Sequence, residues 1–274
     1  MATHKVIATL TDPNSGKGVN VSAVMFSPDG SRLADADDVG IYIWNVVSHK
    51  NAADLQDQNG DYTDVAFSPD GNIIAAGNGD GSIELYNANT KDLLNTLTDP
   101  NGANVTSVAF SHGGNVLAAA DWTDDSQGGG PGNFYLWNII DHKLITKFTD
   151  PDGGGVDGVA FSPLGNIVAA ADVNKGTTYL WNPATRKLIG ALNDPNGDSV
   201  RSVAFSPNGH VLAAGDGDGS TYLWNVATGQ LVATLSNPNS NGITAVSFNA
   251  PGSILATADF NGSICLWNVT KYVS

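Results

Sequence analysis

One pattern occurs six times along the chain, and this repetition constrains the fold more than any other feature of the sequence. A phenylalanine followed by a turn such as Ser-Pro-Asp-Gly recurs at intervals of 41 to 51 residues. An aromatic residue and an asparagine follow each copy of this turn. The phenylalanines are Phe26, Phe67, Phe110, Phe161, Phe205 and Phe248, and the aromatic residues are Trp44, Tyr86, Trp137, Trp181, Trp224 and Trp267. Each repeat is therefore expected to form the same small structural unit.

A single repeat predicts four short strands. Residues 200–205, 210–215, 221–226 and 230–235 are rich in β-forming residues, and turns of glycine, proline and asparagine separate them. Such runs predict a small antiparallel sheet. No long stretch shows helical periodicity. A repeat of about 40–45 residues with four strands is typical of one blade of a β-propeller.

These repeats make the chain resemble the WD-repeat β-propeller family over essentially its whole length. The segments "TLTDPNG", "VAFSPDG" and "LAAGDGDG" are most similar to the WD repeats attached to some bacterial serine/threonine kinases. The resemblance implies a propeller scaffold. Two features depart from the family, which more often has seven blades. The loop histidine of its internal hydrogen-bond network is missing, and the network aspartate is present only as Asp38, Asp80 and Asp218.

The two ends of the sequence predict how the ring closes. Residues 4–10 match the fourth strand of a repeat, whereas the last repeat supplies only three strands, up to Val269. The N-terminal strand should therefore complete the C-terminal blade beside residues 264–267, which leaves no free sheet edge. We expect an all-β, six-bladed β-propeller of four-stranded antiparallel blades, forming a single monomeric domain over residues 1–274.

Composition excludes several classes of function. A net charge of −15 argues against binding to nucleic acid or to anionic membranes, because both require a basic surface. No stretch reaches the roughly 18 apolar residues of a membrane span, and the N-terminus lacks the apolar core of a signal peptide. We therefore expect a soluble protein, cytoplasmic if this is the whole chain. The single Cys265 lies in an apolar strand pattern, which predicts a buried, unreactive thiol.

Acidic residues concentrate in the loops expected at one face of the propeller, the top face. This charge favours a basic protein or peptide as partner. Of 27 acidic residues only Glu84 is a glutamate, and aspartate is the turn-forming acid, so capping of turns is the main expected role. Three Asp-Pro turns supply the candidate binding residues Asp99, Asp150 and Asp194. The favoured function is a non-enzymatic interaction scaffold or sensor module.

Evidence for a metal or catalytic site is incomplete. Asp216 and Asp218 resemble the start of a calcium loop, but its twelfth position is Ala227 rather than an acid, so a structural hairpin is favoured. A propeller that binds a small ligand or Ca²⁺ remains the alternative function. The histidines map to the end of the strands opposite most carboxylates, which disfavours a catalytic cluster. No phosphate-binding glycine motif occurs, and neither an enzyme nor a cofactor is predicted.

The third repeat alone breaks the pattern, with about eight extra residues within 121–133. This glycine-rich insertion carries Trp122, Asp124 and Asp125, which makes it a candidate recognition loop. The alternative is a neutral insertion in which Trp122 folds over the mouth of the channel. Asp157 and Arg201 occupy matching positions in adjacent repeats, and we expect them to form a structural ion pair.

Overall fold

A computed structural model describes residues 8–11, 20–55, 60–122 and 132–273. The chain divides into two compact units, residues 1–102 (unit 1) and residues 103–274 (unit 2). The expectation of a single domain over residues 1–274 stays a prediction. Apart from one short C-terminal helix, the regular structure of the described residues is β-strand.

Unit 1 contains two antiparallel sheets of four strands each, and in both the strands follow one another in chain order. The first sheet consists of β1 (Val21–Phe26), β2 (Arg32–Asp37), β3 (Ile41–Asn45) and β4 (Lys50–Leu55). The second sheet consists of β5 (Tyr62–Phe67), β6 (Ile73–Asn78), β7 (Ser82–Asn87) and β8 (Leu93–Thr98).

Unit 2 contains four sheets with the same chain-order topology. The first consists of β9 (Asn104–Phe110), β10 (Val116–Trp122), β11 (Asn133–Asn138) and β12 (Lys143–Thr149). The second consists of β13 (Val156–Phe161), β14 (Val168–Asp172), β15 (Thr177–Asn182) and β16 (Lys187–Asn193). The third consists of β17 (Val200–Phe205), β18 (Val211–Asp216), β19 (Ser220–Asn225) and β20 (Leu231–Ser236). The fourth consists of β21 (Ile243–Phe248), β22 (Ile254–Asp259) and β23 (Ile264–Asn268).

The six sheets are the blades of an all-β, six-bladed β-propeller, as the repeats predict. Over the described residues, five blades have four strands and the C-terminal blade has three. The predicted closing strand, residues 4–10, lies largely outside the described residues, and residues 8–10 belong to no strand. Its pairing beside β23 therefore stays a prediction. The helix α1 (Thr270–Val273) follows β23, and no helix within the described ranges is long and apolar enough to cross a membrane.

The turn between the first and second strands explains why the Phe-Ser-Pro motif recurs. In the second blade, the Ser68 hydroxyl donates to Asp70 Oδ1 (2.6 Å) and accepts the N–H of Ile73 (2.9 Å). These bonds lower the pKa of Asp70, chiefly through Ser68. The glycine that ends the turn is left-handed, with φ of 71° at Gly71 and 74° at Gly165. A residue without Cβ adopts this conformation at little cost.

The second strand of each blade is the most deeply buried part of the sheets. In β6, β10, β14 and β18 its central residues are mostly alanine, and the side chains of these alanines are at most 3% exposed. These alanines are Ala75 and Ala76 in β6, Ala118, Ala119 and Ala120 in β10, Ala169, Ala170 and Ala171 in β14, and Ala213 and Ala214 in β18. The loops that follow second and fourth strands lie at the same end of each sheet, so residues at that end belong to one loop-bearing face of a blade.

We predict that two glycines in equivalent turns respond differently to alanine. Gly165→Ala should lower the free energy of unfolding by about 1–2 kcal/mol, because Gly165 has φ of 74° and L-residues are strained there. Nothing lies within 4 Å of either added Cβ, so no clash contributes. Gly113, which is not left-handed, is the control, and Gly113→Ala should change stability by less than about 1 kcal/mol. Urea unfolding measures both, and equal losses would contradict this account of the turn.

Candidate functional site

In unit 2, the loop after the fourth strand of one blade meets the end of the second strand of the next blade. Two polar side chains face each other at each of these places, which we call the seams. The seam pairs are Asp150 with Asp172, Asp194 with Asp216, and Asn237 with Asp259. In the third pair the amide of Asn237 donates to Asp259 Oδ2 (3.2 Å). In the second pair, burial and then the Asp194 carboxyl raise the pKa of Asp216.

The Asp-Pro turns place their aspartates as caps of the loop backbone. Oδ1 of Asp150 accepts the N–H of Asp152 (2.9 Å), and Oδ1 of Asp194 accepts the N–H of Asn196 (2.9 Å). In unit 1, Asp99 makes the same bond with the N–H of Asn101 (2.5 Å). The predicted capping role is therefore confirmed at these turns. The three aspartates are between 5% and 8% exposed, and their contribution to binding stays a prediction.

Each aspartate of the first two seams is buried, and one of its two carboxylate oxygens has no hydrogen-bond donor in the part of the chain that the structure describes. Oδ1 of Asp172 accepts the N–H of Asn174 (2.7 Å), and Oδ1 of Asp216 accepts the N–H of Asp218 (2.7 Å). Among the described residues, no donor reaches Oδ2 of the four seam aspartates. Loss of water raises the pKa of Asp150 to about 6. Burial, and then the hydrogen bond with the Asp194 carboxyl, raise the pKa of Asp216 to about 9.

Trp122 lies beside the first seam. It ends β10, and its indole packs against Gly155, where an added Cβ would overlap the ring. The adjacent Gly154 is equally close to the seam, since a Cβ there would lie 3.1 Å from Asp150 Oδ2 and would overlap Asp172. The side chain of Trp122 remains 45% exposed. One face of the ring therefore packs against the loop and the other is open to solvent, which matches neither a fully exposed recognition residue nor a fully buried ring.

Exposed carboxylates surround the seams in the same loops. Asp152 accepts a hydrogen bond from the Tyr179 hydroxyl (2.5 Å) and pairs with Lys175 (3.6 Å). Asp218 accepts hydrogen bonds from Asn196 (2.5 Å) and from the Tyr222 hydroxyl (3.2 Å). Asp198 is exposed in the loop before β17. We call Trp122, Asp152, Asp198 and Asp218 the loop surface; Asp124 and Asp125 lie outside the described residues.

The sequence suggested a calcium loop at Asp216 and Asp218, with a hairpin as the favoured interpretation. Hairpin contacts are present, because Asp218 Oδ1 accepts the N–H of Ser220 (2.7 Å) and the N–H of Gly219 donates to the Asp216 carbonyl (3.2 Å). Over the ranges that the structure describes, no group of three or more His, Cys, Asp or Glu side chains is arranged to hold a metal ion.

The predicted ion pair between first strands is confirmed. Arg201 Nη1 lies 3.4 Å from Asp157 Oδ2, and the guanidinium also stacks over the Phe260 ring at 5.1 Å. Burial raises the pKa of Asp157, and the charge of Arg201 opposes this rise. The pair joins the first strands of adjacent blades, which supports a structural role.

A cleft in unit 1 was not predicted from the sequence. It has a volume of about 620 Å³, and its lining includes Asp54, Asp80, Glu84 and Asp92. Glu84 is buried, and the hydroxyls of Tyr62 (2.7 Å) and Tyr86 (2.5 Å) donate to its Oε2. The signal was a substitution. Glu84 stands two residues before the aromatic residue of its blade, where three blades of unit 2 have Tyr135, Tyr179 and Tyr222 and the fourth has Cys265.

Comparison with known protein families identifies the repeat. A model of the "WD domain, G-beta repeat" family matches residues 91–127, 186–225 and 229–268. A model of the "Anaphase-promoting complex subunit 4 WD40 domain" matches residues 42–102. The chain belongs to the WD-repeat β-propeller family. WD-repeat propellers are in general protein-interaction scaffolds, and the family indicates a non-enzymatic scaffold here as well.

One curated relative shares part of this WD-repeat sequence. Over 78 residues, or 28% of this chain, it is 35% identical to transcription initiation factor TFIID subunit 5 of Caenorhabditis elegans. The matched stretch spans only 12% of that relative's length. The similarity therefore supports the repeat and a scaffold role, and it extends to no further part of the relative.

We predict that Trp122→Ala lowers the free energy of unfolding by about 1–2 kcal/mol, because only part of the ring leaves contact with the protein. Trp224→Ala is the control. Trp224 is only 7% exposed, and the loss of a buried tryptophan typically costs about 3–5 kcal/mol. Chemical unfolding of both variants makes the comparison. Equal losses would mean that Trp122 is a core residue and would contradict its role as an exposed anchor.

Proposed function

We propose that this WD-repeat propeller binds a basic protein or peptide through its acidic loops, with Trp122 as the apolar anchor. The observation that carries the proposal is the position of Trp122, which is half exposed at the end of β10 and packs against Gly155 of the capped loop. Tryptophan is enriched at binding hot spots, where a rigid ring is buried by the partner. Asp124 and Asp125, which follow it in sequence, belong to the proposed site on sequence grounds, as do Asp99, Asp150 and Asp194.

Charge supports a basic partner. The loop surface adds the exposed Asp152, Asp198 and Asp218 to a chain whose net charge is −15. A surface of one sign raises the association rate of an oppositely charged partner and repels acidic competitors. Because the surface is exposed, these charges contribute more to steering and selectivity than to affinity. Affinity is expected to come mainly from burial of the Trp122 ring.

The capped loops support the proposal from a second direction. Loops on a rigid scaffold commonly carry binding residues, since their position costs little entropy when the partner arrives. Here the carboxylates of Asp150 and Asp194 accept hydrogen bonds from backbone N–H groups, and these bonds hold the loops that carry Asp152 and Asp198. The partial similarity to a transcription initiation factor subunit is compatible with a role in assembling proteins.

A peptide array tests this function. The purified chain is applied to basic peptides and to matched acidic peptides, and hits are measured by calorimetry. We expect basic hits whose affinity falls at least about fivefold in Trp122→Ala, which corresponds to about 1 kcal/mol. Asp198→Asn should slow association and reduce its salt dependence. Asp141→Asn, in an exposed turn at the opposite end of the strands, is the control. Peptide binding that is unchanged in both Trp122→Ala and Asp198→Asn would contradict the proposal.

The cleft of unit 1 favours a second candidate, the binding of a small organic cation. Two tyrosine hydroxyls donate hydrogen bonds to Glu84 Oε2, and Asp54, Asp80 and Asp92 add negative charge at the same cleft. Spermidine and guanidinium are suitable probes, and Ca²⁺ tests the metal alternative. A bound ligand raises the melting temperature with its concentration. Glu84→Gln should abolish the shift, while no shift with any probe would remove this candidate.

A further inference from the structure

The three seams of unit 2 have the same geometry but different chemistry. In the third, Asn237 supplies a donor, and its amide satisfies Asp259 Oδ2 at 3.2 Å. In the other two, an aspartate stands where Asn237 stands, so both partners present carboxylate oxygens. Two ionised carboxylates in contact repel each other, and their burial adds the cost of losing water. A donor is therefore missing wherever the asparagine is replaced.

Burial makes this missing donor consequential. Asp172 and Asp216 are at most 1% exposed, and Asp150 and Asp194 are at most 8% exposed. Each has an Oδ2 that no described donor reaches, although its Oδ1 caps a turn. In the first seam, a Cβ at Gly154 would overlap Asp172 and lie 3.1 Å from Asp150 Oδ2, so both carboxylates border the same point; in the second, the Asp194 carboxyl acts on Asp216 as a hydrogen-bond partner and as a charge. A single proton would supply the one hydrogen bond that each seam lacks.

The end of the second strand in unit 1 supports the same rule. β6 ends in the fully buried Asn78, at the position that Asp172, Asp216 and Asp259 occupy in their own blades. Asparagine therefore occurs at both of these positions in the chain, as Asn237 in a loop and as Asn78 at a strand end. Asparagine and a protonated aspartic acid have nearly the same shape, and each can donate one hydrogen bond to a facing carboxylate.

We infer that the Asp150–Asp172 and Asp194–Asp216 seams each hold one proton between their carboxyl groups, which joins neighbouring blades in weak acid and is released to water in alkali. Release leaves two negative charges in contact between buried strand ends. The seams are thus pH-sensitive joints of the propeller, independent of which partner the loops bind.

Other charged groups face these seams and act on their titration. Around the second seam, Asp218 and the hydroxyl of Tyr222 lie in the same blade, and Asp198 lies against Gly217. Around the first, Asp152 raises the pKa of Asp172 and Lys175 lowers it. The Tyr179 hydroxyl bonds to Asp152. The charges of Asp194 and Asp218 raise the pKa of Asp216, whereas that of Lys175 lowers the pKa of Asp172, so the proton of the second seam should be the more strongly held.

The sign of the pH dependence follows from the raised pKa values of Asp150 and Asp216. An unfolded aspartate titrates near 3.9, so between that pH and the folded value the native state holds an extra proton. Stability from the seams is complete below about pH 4 and is lost as pH rises, through about 6 for Asp150 and about 9 for Asp216. Asp29 and Asp70 have lowered pKa values, so they change the free energy of unfolding only below about pH 4.

Urea unfolding of the whole chain between pH 5 and pH 9.5 tests the inference. One shared proton lowers the folding equilibrium constant by about tenfold per pH unit inside its window. Asp194→Asn installs the amide found at Asn237 and should remove one proton from the pH dependence between about 6 and 9. Asn237→Asp should add one. Asp141→Asn, an exposed change at the opposite end of the strands, should leave the dependence unaltered.

Two results would overturn the inference. One is an unchanged pH dependence in both Asp194→Asn and Asn237→Asp. If one variant fails to fold, the other and the ¹³C carboxyl titration of the unaltered chain decide, and a normal titration of Asp216 near pH 4 would refute the shared proton. The other is stabilisation by millimolar Ca²⁺ that disappears in Asp194→Asn, which would mean that a cation joins the carboxylates instead.

Discussion

Close packing between neighbouring blades determines the rest of the structure of unit 2. Second strands carry alanine because the adjacent blade leaves no room for more; at Gly215 in β18, an added Cβ would overlap Ile243 and Val246 of the next blade. Such interiors tolerate few polar groups without partners. The aspartates that end these strands, Asp172 and Asp216, are drawn into the same contact and lose water. Their chemistry is thus set by packing of the strands before them.

Glycine allows a loop to approach this contact from above. Gly154 lies against both carboxylates of the first seam, and Gly155 lies against the indole of Trp122. A side chain at either position would separate the layers. The loop over residues 150–155 therefore contacts three features: it contains a backbone cap, it lies on a buried acid pair, and it packs against an exposed aromatic ring. Because the loop is short, the cap, the acid pair and the ring all depend on the same few backbone residues.

The sequence was informative wherever a feature repeats within one blade. Six copies of the Phe and Trp pattern predict six sheets with turns at the observed places, and matching positions in adjacent repeats predict the Asp157–Arg201 pair. The seams were missed because each joins a loop of one repeat to a strand end of the next. Their signal was present as acid or amide residues at a fixed separation, 22 residues for Asn237 and Asp259. The sequence alone does not show that residues at this separation meet, because they come into contact only when neighbouring blades pack together.

Partner binding and blade packing meet at the loop from Asp150 to Gly155. A partner that binds Trp122 in its observed position must also favour the loop conformation that supports the ring, including the cap at Asp150 and the seam beneath it. Linkage makes the effect reciprocal, so whatever strengthens the seam also favours the conformation that binds. The size of this coupling is limited by the difference in the partner's affinity for the protonated and the deprotonated state of the seam. A rigid propeller can in this way transmit the state of its buried acids to its surface without any movement of a blade.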